Sequence, residues 1–142
     1  MHDAITRSTF AYAAVLFAVL FAPQVGLPHH GSGGYLPSLF PDGAAFAGTL
    51  AILFLAVRHG MAGHTDSQFA RGFARGTAVA CMSAVLYAIG IAVIGPGIFS
   101  DRAFTWIVVV LGAVTIAVVG AAASALIAFA ILRHARPRGR AA

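Results

Sequence analysis

The sequence predicts an all-α integral membrane protein, a four-helix bundle with both termini on the cytoplasmic side. Three observations carry this. Of the 142 residues 60% are hydrophobic and 9% charged, whereas charged residues make up about a quarter of an ordinary water-soluble domain. The apolar residues fall in long runs rather than at half-buried spacing, with a mean hydropathy of +0.90, which is the pattern of membrane spans. The nine basic residues are all arginines, and most sit at the ends of those runs, where basic residues orient a membrane protein. The length is that of one domain, so residues 1–142 read as a single transmembrane unit.

The first span is TFAYAAVLFAVLFAPQVGL, residues 9–27, close to the roughly 20 residues that a membrane helix needs. Pro23 and Gln24 predict a kink or an early end. The rival reading is a secretory signal peptide, with Arg7 before an apolar core over 10–22. Leu20 and Ala22 do not form a small-x-small cleavage site, and Pro23 follows at once. A linker rich in turn formers follows, PHHGSGGYLPSLFPDG, residues 28–43. The second span covers 38–57, with Pro41 tolerated in its first turn. The third covers 76–94 and is expected to stop at Gly95-Pro96-Gly97. The fourth covers 103–132 without a single charge; at 1.5 Å per residue it is about 45 Å long, beyond the ~30 Å hydrocarbon core.

Orientation follows from the arginines. With a cytoplasmic N-terminus, Arg7, Arg58, Arg71, Arg75, Arg133, Arg136, Arg138 and Arg140 all lie inside, and Arg102 alone lies outside. The four last-named inner arginines form a basic tail suited to anionic lipid headgroups. That placement explains the basic pI without nucleic acid, whose readout needs a folded soluble module.

Between the second and third spans stands FARGFARG, residues 69–76. Thr65 to Gln68 spell T-x-x-Q, a capping box, so the third helix is expected to begin near Asp66, with 66–75 in the headgroup region. Residues four apart share nearly one helix face, so the repeat writes three stripes. Phe69 and Phe73 suit the lipid boundary, Arg71 and Arg75 suit phosphates, and Gly72 and Gly76 leave a strip for close helix approach. The strip continues by fours as Ala80, Ala84, Ala88 and Ala92. The fourth span carries a similar row, Ala113, Ala117, Ala121 and Ala125, with Gly120, Ser124 and Ala128 beside it. The six-residue row serves packing inside the bundle, or else packing against a second copy or a membrane partner.

Candidate chemistry is sparse. The lone Cys81 cannot form an internal disulfide or a CxxC pair. His29 and His30 lie in the outer linker and His59, His64 and Asp66 in the inner loop, so the two groups are about 30 Å apart and cannot share an ion. His59, His64 and Asp66 would supply three metal ligands, but their spacing is not helical and glycines separate them, which favours plain loop residues. No histidine lies within a span, against haem ligation. Asp3, Asp42, Asp66 and Asp101 sit in termini or loops, against a proton-coupled antiporter. Thr49, Ser83 and Tyr87 are the hydroxyls proposed for a solute path; Trp106 and Tyr35 read as interface anchors. No catalytic residue, cofactor site or metal site is assigned.

The stretch LAVRHGMAGHTDSQFARGFARGTAVACMSAVLYAIG, residues 55–90, and the closing VVGAAASALIAFAILRHARP resemble a family of small four-helix bacterial inner-membrane proteins classed as a domain of unknown function. The resemblance covers about half the chain; the link over 95–102 is shorter than the charged segment usual in that family. It implies four helices and a bacterial inner membrane, and no catalytic residue. The expected function is that of a multi-pass inner-membrane protein, structural or accessory, acting through helix packing and not as an enzyme. The alternative is a small oligomeric channel or transporter for a small solute.

Overall fold

The computed structural model describes residues 2–26, 39–62, 67–98 and 102–135. Among these the chain is all-helical, with no strand. Four helices follow one another: α1 (His2–Gly26), α2 (Leu39–Gly60), α3 (Gln68–Ile98) and α4 (Arg102–Ala135). Segments of two, Gln68–Ile94 in α3 and Thr105–His134 in α4, are long and apolar enough to cross a membrane. Arg7–Ala22 and Ala44–Gly60 are shorter apolar helices.

Helix ends differ from the sequence expectations in two places. The first intrahelical bond of α3 runs from the Arg71 N–H to the Ser67 carbonyl, 3.1 Å. Ser67 therefore occupies the N-cap position, where the carbonyl accepts the first helical bond, and Gln68 rather than Asp66 begins the helix. Thr65 and Asp66 lie outside the described residues. The second difference is the stop at Gly95-Pro96-Gly97, since α3 runs through it to Ile98. A proline removes one backbone donor, and two residues from a helix end that is a single lost bond. For the same reason Pro23 lies within α1, which continues to Gly26. At the close of α2, Met61 N–H still reaches the Val57 carbonyl (2.9 Å), and Ala62 N–H makes a longer bond to His59 (3.4 Å). Gly60 sits here because α3 passes close by: a Cβ on it would lie 2.9 Å from the Arg71 carbonyl and 3.1 Å from Gly72 Cα.

The helices alternate in direction. Gly60 meets the start of α3, Gly76 faces Ser124, Gly112 faces Tyr87, and Gly48 faces Val19. The start of α1, the end of α2, the start of α3 and the end of α4 therefore share one end of the bundle. α3 touches all three other helices, α2 does too, and α1 and α4 do not approach each other through their backbones. A core layer draws on every helix: Ala13 and Leu16, Leu53 and Ala56, and Val79 and Ala80 are buried, with Ala123 and Ile127 of α4 packed on them.

The interior mixes small residues with Leu16, Leu53, Val57, Val79 and Ile91, whereas the outside is rich in large apolar side chains. Many buried positions hold Gly, Ala or Ser, among them Gly72, Gly76, Ala80, Ser83, Gly120, Ser124 and Ala128. The outward positions hold large apolar side chains on all four helices, reaching 73% exposure at Val93 and 70% at Leu126. The small residues set the interhelical distance. At Gly76 a Cβ would lie 2.7 Å from both Ser124 Cβ and Val57 Cγ2, and at Gly120 it would collide with the Ala80 methyl.

These contacts predict unequal responses to a single added methyl group. At Gly72 the nearest obstacles are the Cγ and sulfur of Met61, a flexible thioether that can move aside, and Val57 Cγ1 stands farther off at 3.2 Å. At Gly76 the obstacles are a β-branched valine and a serine Cβ held by its own helix. Gly76→Ala should therefore destabilise by about 1–3 kcal/mol and Gly72→Ala by clearly less. The check is thermal unfolding of both variants in one mild detergent. Equal midpoints would show that the α3–α4 seam yields.

Candidate functional site

Two features stand out: the small-residue seam opened by the repeat, and the basic end of the bundle around it. In the structure the stripes of FARGFARG separate in space. Phe69 and Phe73 stack with ring centroids 6.1 Å apart and planes only 8° from parallel. Arg71 is exposed, whereas Arg75 is half-buried and its guanidinium donates a hydrogen bond to the Ser8 hydroxyl of α1. Gly72 and Gly76 are buried against Met61, Val57 and Ser124.

The row of small residues does not remain on one interface. Gly72 faces α2, Gly76 faces α2 and α4 together, and Ala80 faces Gly120 of α4. Ala84 is still buried, Ala88 is half-buried and Ala92 is exposed. The cause is helical pitch: a step of four residues advances about 400°, so each rung turns by about 40°. Five steps rotate the row through roughly half a circle. Its lower rungs are used within the chain, and its last rung borders a recess of about 250 Å³ with Arg102, Thr105 and Trp106.

Arg58, Arg71 and Arg133 are exposed at the end that carries the α2–α3 turn, and so is Arg7 at the start of α1. Arg102 is exposed at the opposite end. Arg136, Arg138 and Arg140 lie outside the described residues, as do His29, His30, Tyr35, His64, Asp66 and Asp101. The Arg75 Nε is buried with no partner among the described residues. Beside Arg75 the Tyr12 hydroxyl stands 3.4 Å from His59 Nδ1, and the two rings meet edge to face. His134 Nδ1–H donates to the Ala130 carbonyl at 2.9 Å, one helical turn back. Among the described residues no three His, Cys, Asp or Glu side chains gather as a metal site. Cys81 is exposed on α3.

The hydroxyls serve backbone carbonyls. Ser83 lies within reach of two, Val79 in its own helix at 2.8 Å and Ala13 of α1 at 3.0 Å, and its one proton bridges α3 to α1. Ser124 donates to Gly120 at 2.7 Å and Thr49 to Ala45 at 2.8 Å. Tyr87 is buried with Ile91 and Val109 and presses on Gly112. Thr49, Ser83 and Tyr87 thus belong to three different surroundings rather than to one path. Thr77 Oγ1 is buried without a partner among the described residues.

Sequence reasoning missed an apolar cleft of about 560 Å³. Its sides are Leu16 and Leu20 of α1, Phe46 and Leu50 of α2, and Val119 and Leu126 of α4, and its hydroxyls are Thr49 and Thr115. It lies beside the contact of Gly48 with Val19, away from the level where Val57 packs with Ala128. No local pattern announces a gap between helices. The Ser124 partner of Gly76 had a signal, for Gly120-x-x-x-Ser124 is a small-xxx-small pair.

Coupling across the α1–α3 contact can be measured. A double-mutant cycle with Ser8→Ala and Arg75→Ala should give a coupling of about 1 kcal/mol by chemical or thermal unfolding. Ser83→Ala should lower stability by about 0.5–1.5 kcal/mol; no change would mean that the Val79 carbonyl alone holds the hydroxyl.

Compared with protein-family models, with curated proteins and with solved structures, the chain matches none.

Proposed function

We propose that the protein is a multi-pass integral protein of the bacterial inner membrane, with four spans and both termini in the cytoplasm. Its role is structural or accessory and is exerted through helix packing. The observation that carries the reading is the shell of exposed Val, Leu, Ile and Phe on all four helices, around an interior that mixes Gly, Ala and Ser with Leu16, Leu53, Val57, Val79 and Ile91. A water-soluble bundle gathers its large apolar residues in the core and covers itself with charge. Lipid tails are as apolar as a core, so a membrane bundle gains by close backbone approach instead. The gathering of Arg58, Arg71 and Arg133 at one end, with Arg102 at the other, supports the orientation.

The lower rungs of the small-residue row are occupied by the chain's own helices, so association with a partner falls to the exposed apolar shell, which is richest on α4. There Ile107, Leu111, Val114 and Val118 are all exposed, and spacings of four, three and four place them along one ridge. The role as a packing partner rests on that ridge. Of the hydroxyls on which a solute path would depend, Thr49 bonds within α2 and Ser83 bonds Val79 and Ala13, while Tyr87 packs with Ile91 and Val109. This separation favours the packing role over a channel or transporter.

Reporter fusions to the full chain test the topology. A fluorescent reporter after residue 142 and one inserted between 62 and 67 should both be active. A phosphatase that needs the periplasm should be active only within 28–43; fluorescence from that linker would overturn the orientation. Alkaline washing of membranes should leave the protein in the pellet, and release into the wash would overturn the membrane reading. For the packing role, purification from native membranes in mild detergent should bring a stoichiometric companion or a second copy, identified by mass spectrometry. A solitary monomer would sink that role.

A further inference from the structure

We draw no further inference here: the strongest candidate, the side-chain cluster of Arg75, Ser8, Tyr12 and His59 where α1, α2 and α3 meet at the basic end, carries nothing because Arg75 Nε, which has no partner among the described residues, is itself buried and nothing in the structure shows what would reach it.

Discussion

The close approach of α3 to its neighbours is the constraint on which the rest of the structure depends. Gly76 admits Ser124 and Val57, and Gly120 admits the Ala80 methyl. At such distances backbone and Cβ atoms make the contacts, and attraction comes from many small dispersion terms that fall away quickly with a gap. A seam of this kind has no room for large side chains. Beside the seam the core is filled by Leu16, Leu53, Val79 and Ile91, and many more large apolar side chains lie on the outside of all four helices.

The remaining helices attach to the seam by different means. α2 is held by α3 at its end, Gly60, and by α1 near its middle, where Gly48 meets Val19. The lateral cleft runs beside its stretch from Ala45 to Leu53. α1 carries fewer close backbone contacts and is tied to α3 by polar bonds, Arg75 to Ser8 and Ser83 to Ala13. Ser124 and Thr49 bond carbonyls of their own helices, and among the described residues Arg75 Nε and Thr77 Oγ1 are buried without a partner.

Helix number, order and alternation were legible because long apolar runs between turn formers permit little else. The ends were less so. Ser67 took the cap expected for Thr65, since both are hydroxyl residues before the same run and local pattern does not rank them. The proline of Gly95-Pro96-Gly97 was read as a stop, yet near a helix end it removes a single bond. The six-residue row read as one strip because counting by fours ignores the turn of about 40° per step. That turn carries Ala92 out to the surface while Gly72 remains buried.

Composition and spacing alone dictated an apolar, four-helix chain with small residues at helical intervals and its arginines near the helix ends. These are properties of neighbouring residues along one chain, and short-range sterics and hydropathy suffice to read them. Which rung meets which helix, that Arg75 turns inward to Ser8 while Arg71 stays out, and that a cleft opens between α2 and α4 were decided only by tertiary packing. Each depends on the tilt and distance of helices remote in sequence, and no local pattern carries those quantities.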